Sequence, residues 1–543
     1  MSDPHDPSGE PTAPAFERVR KAAKQLLRSA RAHDAGALAR LRAALPRLAS
    51  LDDVAAAEQL KLADVQHALA REAGLEHWAA LKRQVEAAEP LIAQVTRFLG
   101  ALAGPEDETM RDVLERFPEV ARGSLHAACA ACDLPAAEAW LARDPAHATA
   151  RIGPNGGWTP LDCLAQSPLF ALDAARGAAS VAIGERLLAL GADANTSTLQ
   201  PGSHDTTLSV LYRASERGNA GLVRVLLAAG ADPNDGEAAY HAAERDHRDV
   251  LELLLAHGLD ISATHPRWDN TVLYYLSGYR DEQPLAEKAN AGMRWLLEHG
   301  ADPNVPSYKT RETPLHRVAA SGRMTVVRIL LEHGADGTQP RADGRTAYEL
   351  AARNGQTAVA KLLAERGAAA PLRPVDAFFG ACAQGDEAAA RAVLDANPGL
   401  LDTLEPAERH MLGHAAAAGR VESVRTLAAF GFALTAESEN GGTPLHWAAW
   451  HGQAGAVREL LERGAPVNVR DCTYGSSPLA WAAHGSHYCR SADDDYTEVV
   501  DLLLAAGVDR ALTYNKWNEP PEALASEAVA EHLRARGFAP AEN

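Results

Sequence analysis

The stretches TPLHRVAASGRMTVVRILLEHGAD (residues 313–336) and TPLHWAAWHGQAGAVRELLERGAPVN (residues 443–468) are two copies of one pattern. In each copy the Thr is a favourable N-cap, and Pro is favoured at the first helical position. A short Ala-rich helix, a turn and a second helix with Val and Leu at helical spacing follow. Gly334 then stops the second helix, because glycine adopts the left-handed cap conformation without strain. The pattern therefore predicts a helix–turn–helix unit.

The end of this unit, LL-x-x-G, recurs along the chain. Its glycines are Gly191, Gly230, Gly258, Gly300, Gly334, Gly367, Gly464 and Gly507, with a weaker copy at Gly431. A base period of about 33 residues with insertions accounts for these spacings. One helix pair cannot bury its apolar face alone, so neighbouring units must stack. The fold class predicted is all-α, a solenoid of helix pairs.

The two quoted stretches resemble ankyrin repeats, and the match recurs along most of residues 92–540. The resemblance implies helix–turn–helix repeats joined by short β-hairpin loops, with an N-terminal helical region in front of them. It also implies that the first helices line a concave groove beside the hairpins, and that the chain binds other proteins.

We predict three regions. Residues 1–15 are rich in Pro, Ser, Asp and Gly, which predicts a disordered tail. Residues 16–90 form a helical leader or cap, and residues 91–540 form an ankyrin array of about 11–12 units, several of them degenerate or carrying insertions.

Within the leader, residues 60–82 resemble the helical segment that precedes ankyrin arrays in bacterial ankyrin-repeat proteins. The pattern predicts one helix opened by Asp64 and closed at Gly74, and a second helix that carries Trp78. The predicted role of this segment is to cover the open end of the solenoid.

The charge of the leader differs from that of the rest. The chain carries a formal net charge of −19, whereas residues 16–50 hold nine basic side chains and only two acidic ones, Glu17 and Asp34. The basic ones are Arg18, Arg20, Lys21, Lys24, Arg28, Arg31, Arg40, Arg42 and Arg47. A basic amphipathic helix can tether a protein to acidic membranes or to nucleic acid. We favour docking on the acidic ankyrin body or a solvated face, so membrane and nucleic acid are disfavoured as partners.

Location follows from what the sequence lacks. It has no apolar run long enough for a transmembrane helix and no Sec signal at its start. We therefore expect a cytoplasmic protein, with secretion into a host by a non-Sec route left open.

Catalytic motifs for phosphate, dinucleotide, zinc-protease or serine-hydrolase chemistry do not occur. Cys129 and Cys132 form a CxxC with His126 in front of it, a trio that could hold a metal. In the repeat register, however, His126 is the TPLH histidine, Cys129 is a packed small residue and Cys132 replaces the turn Gly. We therefore expect these side chains to be structural.

A second cluster lies near the C-terminus. His484, His487 and Cys489 are close in sequence to Cys472 and to residues 493–495, all three of them Asp. Their spacing matches no standard zinc pattern, and the aspartates suit the N-terminus of a helix that begins near Tyr496. We expect no enzyme activity, metal or cofactor, and keep an unrecognised enzyme or metal module in the N-terminal region or the insertions as the alternative.

Three units are longer than the others. The extra residues lie between the two helices of each unit, at about 166–182, 277–291 and 485–496. All three insertions are therefore expected to emerge as loops at the same edge of the array.

Partner-binding residues follow from the repeat register. In an ankyrin unit the two residues after the Ala-Ala pair, just before the turn Gly, face the groove. The candidates at or beside this position are Glu216, Arg217, Glu244, Arg245, Tyr279, Arg353, Asn354, Trp450, His451 and His484. The repeats around Ala383 and Ala417 are nearly bare at these positions.

Among these candidates, Trp450 is the predicted hot spot, since a large aromatic in an Ala-lined groove offers extensive apolar contact. Trp447 and Trp481 are expected to be mostly core. The function predicted is recognition of a protein or peptide by a monomeric scaffold.

Overall fold

The computed structural model describes residues 15–87, 91–103, 107–152, 157–199, 207–265, 267–279, 283–438, 441–489 and 495–538. All but the last residue of the predicted tail, residues 1–15, lies outside the described residues. The chain divides into two compact units, of which the first extends to Ala242 and includes His247–Asp260. The second comprises Ala243–Asp246 and the chain from Ile261 onward.

The first unit begins with a small helical bundle. Its helices are α1 (Ala15–Arg31), α2 (Ala35–Ala44), α3 (Asp53–Gln59), α4 (Leu62–Glu72) and α5 (Trp78–Ala87). Helix α1 packs on α2, α4 and α5, and the bundle has its own core, in which Leu38, Leu41 and Leu48 are fully buried. The predicted pair of helices around Gly74 is present. Its first helix begins at Leu62 rather than Asp64, whose carboxylate accepts the Lys61 N–H at 2.9 Å from the third helical position.

Among the described residues, ten further α-helices follow up to the end of the first unit, and the last residues of α14 belong to the second. They are α6 (Leu91–Gly100), α7 (Asp107–Arg116), α8 (Leu125–Ala130), α9 (Leu134–Arg143), α10 (Pro160–Gln166), α11 (Ala174–Ala189), α12 (Val210–Arg217), α13 (Ala220–Ala228), α14 (Ala238–Glu244) and α15 (Arg248–Ala256). One antiparallel hairpin, β1 (Ser197–Leu199) with β2 (Thr207–Ser209), pairs Thr198 with Leu208.

The regular elements described in the second unit are all helices, joined by turns. Its helices are α16 (Val272–Leu276), α17 (Ala286–Glu298), α18 (Pro314–Ser321), α19 (Met324–Glu332), α20 (Ala347–Arg353), α21 (Thr357–Glu365), α22 (Pro374–Ala383), α23 (Glu387–Ala396), α24 (Pro406–Arg409), α25 (Met411–Ala417), α26 (Val421–Ala429), α27 (Pro444–Trp450), α28 (Ala454–Glu462), α29 (Pro478–Tyr488), α30 (Tyr496–Ala505), α31 (Pro521–Leu524) and α32 (Glu527–Ala535).

Helix pairs stack as the repeat predicts. In the first unit α8, α10 and α12 contact in succession, as do the second helices α11, α13 and α15. In the second unit α18, α20 and α22 contact in succession, and so do α25, α27 and α29. Stacking buries the Val and Leu face of each second helix, such as Val326, Val327 and Leu330 in α19. The predicted all-α repeat fold is confirmed.

The TPLH segments cap the N-termini of the first helices through reciprocal hydrogen bonds between Thr and His. The His446 Nδ1 accepts hydrogen bonds from the Thr443 N–H at 3.2 Å and the Thr443 hydroxyl at 2.8 Å. Its Nε2 donates to the Ser476 carbonyl of the next repeat at 3.0 Å. Thr313 and His316 repeat the same cap. These histidines are structural, as the pattern predicts.

Asparagines join consecutive hairpins. The Asn304 side-chain amide donates to the Gly334 carbonyl at 3.1 Å, and its oxygen accepts the Asp336 N–H at 2.7 Å. Asn195, Asn234 and Asn468 make the same two bonds one repeat onward. The asparagine that ends each of these repeats therefore satisfies backbone groups of its neighbour.

The insertions differ from expectation. Their described residues are largely helical: α11 begins at Ala174, α17 begins at Ala286, and α29 continues to Tyr488. The extra residues therefore lengthen existing helices, where backbone groups pair internally, instead of forming long open loops. Residues 280–282 and 490–494 of the predicted loops lie outside the described residues.

Candidate functional site

The predicted partner-binding residues lie at the C-terminal ends of the first helices. Helix α12 ends at Arg217, α14 at Glu244, α20 at Arg353 and α27 at Trp450. The repeat register read from the sequence is thus the register of the structure, and what each side chain does there varies from repeat to repeat.

Glu216 and Arg217 of the first unit are half-buried. The backbone carbonyl of Glu216 accepts a hydrogen bond from His247 Nε2 at 3.2 Å. This bond connects the end of α12 to His247, the N-cap residue of α15, so a side chain helps to hold the turn between the two repeats.

Glu244 and Tyr279 of the second unit are predicted to face a partner, yet they bind each other. The Tyr279 hydroxyl donates to one Glu244 carboxylate oxygen, and the Tyr275 hydroxyl donates to the other at 3.2 Å. Glu244 is only 6% exposed. Burial and the bond to Glu244 raise the pKa of Tyr279. Arg245, at the following position, is half-buried.

Arg353 is also committed within the fold. It is 8% exposed, and its Nη1 lies 2.5 Å from the Asp376 carboxylate and 3.0 Å from Glu408. Its guanidinium covers the Phe379 ring at 4.5 Å. The neighbouring Asn354 donates to the Leu350 carbonyl at 2.9 Å and is half-buried. Of this pair, Asn354 is the more accessible side chain.

The C-terminal repeats bring five predicted or adjacent aromatic residues together. We call Trp447, Trp450, His451, Trp481 and His484 the aromatic cluster. The Trp450 ring lies edge-on to Trp481 at 5.7 Å and to His484 at 5.2 Å, and Trp447 stacks on His451 at 6.3 Å. Four of the five side chains are partly exposed, whereas Trp481 is 6% exposed.

The expectation that Trp481 is core is confirmed. Its Nε1 donates to Asp471 at 3.0 Å. Trp447 lies between the two extremes, because it is partly exposed and its Nε1 donates to the Ser438 hydroxyl at 3.1 Å. An amphipathic ring with a satisfied N–H can serve both packing and contact.

Sequence reasoning missed Tyr488. It lies one turn after His484 on α29, its ring is 4.9 Å from the His484 ring, and it is 68% exposed. The repeat register places no residue there, because an ordinary first helix ends before this point. The extension of α29 into the insertion creates the position.

The basic residues of the leader find acidic partners in their own bundle. Arg40 pairs with Glu72 at 2.7 Å, Arg42 with Asp53 at 2.8 Å and Arg47 with Asp64 at 2.6 Å. Lys21, Lys24 and Arg28 of α1 are exposed. Part of the basic stretch therefore holds the bundle together, and part is a solvated face.

The CxxC residues are packed. Cys129 and Cys132 are buried, and burial raises the pKa of both thiols, that of Cys132 to about 12. Cys132 has φ of 52°, the left-handed conformation of the turn Gly that it replaces. His126 Nε2 bonds the Ala150 carbonyl at 3.0 Å, as His446 bonds the next repeat, whereas the Ser124 hydroxyl caps α8 by accepting the Ala127 N–H.

The second cysteine and histidine cluster is dispersed. His484 and His487 contact Tyr488 from two sides, and Asp495 caps α30 by accepting the Glu498 N–H at 3.0 Å. Asp493 and Asp494 lie outside the described residues. Within the part of the chain that the structure describes, no three His, Cys, Asp or Glu side chains gather in a metal-binding arrangement.

Comparison with protein families identifies the class. A model of ankyrin repeats matches residues 172–265, 285–373 and 378–471, just over half of the chain. The chain therefore belongs to the ankyrin-repeat family. Ankyrin repeats are protein-interaction modules, and this fold is typically non-enzymatic.

Several curated proteins share the repeats. The chain is 29% identical to a transient receptor potential cation channel subfamily A member 1 homolog of Caenorhabditis elegans, over 30% of this chain and 14% of that protein. It is 30% identical to the palmitoyltransferase AKR1 of Lachancea kluyveri, over 32% of this chain and 20% of that protein. It is 28% identical to mouse Rabankyrin-5, over 32% of this chain and 16% of that protein.

A solved structure, the human ASB11 ankyrin repeat domain, matches 42% of this chain with 25% identity and a TM-score of 0.29. The chain spans a fifth or less of the length of the curated relatives named here. A bacterial origin stays a prediction. None of the described helices is both long and apolar enough to cross a bilayer.

Proposed function

We propose that this chain binds a protein partner on the first-helix side of its repeats, with the aromatic cluster as the principal contact. The observation that carries the proposal is the grouping of partly exposed Trp450 and His451 at the end of α27 with His484 within α29. Indole and imidazole rings combine a large apolar face with a polar edge, a combination enriched in binding hot spots.

Trp450 is the residue whose removal tests the proposal most directly. Its ring rests on Trp481 and His484, so the indole is held in place before a partner arrives. A rigid aromatic loses little conformational entropy on binding, which increases the affinity that its contact area provides.

The experiment is capture of a partner by the full-length chain, followed by affinity measurement with Trp450→Ala. We expect binding to weaken by about 2 kcal/mol or more. Ile92→Ala, at an exposed position in the first unit, is the control and should bind as wild type does.

Two readouts separate binding from folding. Hydrogen exchange over residues 443–488 reports whether Trp450→Ala leaves α27 and α29 protected. If the variant is protected there and still binds with wild-type affinity, the aromatic cluster is not the contact.

The remaining expectations belong to the same proposal. In this proposal the chain is a cytoplasmic monomer that acts as a scaffold for a separate partner. It carries out no catalysis and binds no metal. Sedimentation of the purified chain as a dimer would contradict the monomer, and a stoichiometric metal in it would favour the alternative of a metal module.

A further inference from the structure

The stack of the second unit is interrupted between α22 and α25. First helices make extended contacts from α18 to α20 and α22, and again from α25 to α27 and α29. Within residues 283–438, all of which the structure describes, the extended contact that α22 makes with the following repeat is instead with α26, a second helix. Residues 397–410, between α23 and α25, carry the extra helix α24.

This interruption leaves a cavity of about 490 Å³. Small side chains at the ends of first helices line it, Ala320, Ala383 and Ala418 among them. Ala383 and Ala418 belong to the two repeats whose groove positions are nearly bare. The cavity therefore lies on the first-helix side, where the family binds its partners.

Most charges at this cavity are already paired. Arg345 lies 2.9 Å from Asp376 and 3.1 Å from Glu408, and Arg353 contacts the same two carboxylates. Two arginines and two carboxylates satisfy one another, so this network needs no ligand.

Arg420 is the exception. It lines the cavity at the N-cap of α26 and is half-buried, yet its guanidinium has no hydrogen bond or ion pair with any residue that the structure describes. Burial lowers the pKa of Arg420, and no neighbouring carboxylate offsets the effect. A partly desolvated charge without a partner is unfavourable unless something else neutralises it.

The equivalent residue of another repeat shows what a purely structural arginine does. Arg323 occupies the N-cap of α19 and is buried. Its guanidinium donates to the Ser277 carbonyl and to Asn290 Oδ1, both at 3.1 Å. The preceding repeat supplies both acceptors, whereas the gap between α22 and α25 leaves Arg420 with neither.

We propose that this cavity is a carboxylate-binding subsite, in which Arg420 pairs with an Asp or Glu side chain of a bound peptide segment. The inference rests on the proposed function and specifies which partner sequence the repeats accept. The subsite adjoins the aromatic cluster, because α25 packs on α27 and a Cβ added at Gly413 of α25 would lie 3.7 Å from Trp447.

The charge balance favours a carboxylate over a phosphate. One guanidinium matches a single negative charge and can bind a carboxylate through two hydrogen bonds. Glu405 lines the same cavity, and the chain as a whole carries −19. A dianionic phosphate would meet more repulsion there than a carboxylate does.

The test uses short peptides selected from a random library on the full-length chain and then synthesised with amidated C-termini. We expect selected peptides to carry an Asp or Glu whose replacement by the amide weakens binding about tenfold or more. Arg420→Gln should lower the affinity for the acidic peptide to a similar degree. The variant should then bind the acidic peptide and its amide counterpart equally well. Arg328→Gln, at an exposed position of α19, is the matched control and should leave both affinities unchanged.

The outcomes distinguish the two proposals. Peptides that bind through the aromatic cluster but tolerate loss of their acidic residue would overturn the carboxylate subsite and leave the proposed function standing. If no peptide from the library binds the chain, both the carboxylate subsite and the proposed function are contradicted. A phosphoserine peptide that binds tighter than its Glu counterpart would overturn the carboxylate assignment. If Arg420→Gln does not fold, the Glu-to-Gln comparison on the wild-type chain decides the question.

Discussion

Single residues show how a repeat position acquires different roles. The N-cap of the second helix is Asn219 in one repeat, Arg323 in another and Arg420 in a third. Asn219 bonds Ser180 and Arg323 bonds Ser277, while Arg420 faces a cavity. Whether the N-cap side chain stabilises the fold or remains available to a ligand depends on the acceptors that the neighbouring repeat offers.

His446 makes the stability of its repeat depend on pH. Burial lowers the pKa of His446 to about 4, compared with an ordinary value near 6.5. The unfolded state therefore binds more protons between these two values, and stability present above pH 6.5 is lost as the pH falls. We expect the loss to reach about 3 kcal/mol by pH 4.

Hydrogen exchange of residues 443–488 at several pH values, corrected for the intrinsic rates, measures this loss. His446→Gln serves as the reference, because its side chain does not titrate in this range. An equally steep pH dependence in that variant would assign the effect to other groups.

Thiol accessibility is a second prediction at this scale. Cys472 is exposed and Cys489 partly so, whereas Cys129, Cys132, Cys163 and Cys382 are buried. Burial raises the pKa of all four buried thiols, which keeps them protonated and unreactive. A thiol reagent should therefore label Cys472 first and reach the four buried residues only in denaturant. Rapid labelling of Cys129 or Cys132 in the native chain would contradict the packed CxxC.

At the scale of elements, glycine sets how closely first helices approach. A Cβ at Gly485 of α29 would lie 2.0 Å from the Trp450 carbonyl oxygen, which closes α27. The helices can only meet at this distance because position 485 has no side chain. Gly485 directly follows His484 and is the second residue after an Ala-Ala pair, a position expected to face the groove, but the structure buries it between helices.

Gly485→Ala should therefore destabilise the C-terminal repeats by roughly 1–3 kcal/mol, the range for forced overpacking. Gly413→Ala is the matched control on α25, because its Cβ would make an ordinary contact with Trp447 at 3.7 Å. In a helix interior this replacement should stabilise by up to about 1 kcal/mol. Local hydrogen exchange distinguishes the two, and equal effects of both variants would disprove the close approach of α29 to α27.

For the whole molecule, repeats that contact only their neighbours make unfolding a local event. Contacts of this kind run through both compact units, and the interruption at α22 and α25 weakens the coupling within the second. Four of the nine tryptophans lie between residues 447 and 517, so fluorescence is weighted towards the C-terminal repeats.

We expect urea unfolding followed by tryptophan fluorescence and by circular dichroism to give transitions that do not coincide. The dichroism averages all helices, while four of the nine fluorescent tryptophans report on residues 447–517 alone. Superimposable curves with a single midpoint would show that the chain unfolds as one cooperative unit.

Local chemistry alone determined the repeat fold of this protein. Thr-Pro starts, left-handed Gly ends and apolar spacing of 3.6 residues act within a few residues of one another, so the fold class, the repeat register and the capping role of His446 could be predicted. The position of Cys132 in a left-handed turn followed from the same register.

Tertiary structure decided which predicted contact residues remain accessible. Glu244 and Arg353 find partners from neighbouring repeats, and Tyr488 becomes exposed because α29 lengthens. Among the described residues, Arg420 lacks a partner because of the gap between α22 and α25, two helices whose residues are far apart in sequence. Pairing and burial of side chains depend on distances across repeats, and a periodic pattern in one repeat carries no information about those distances.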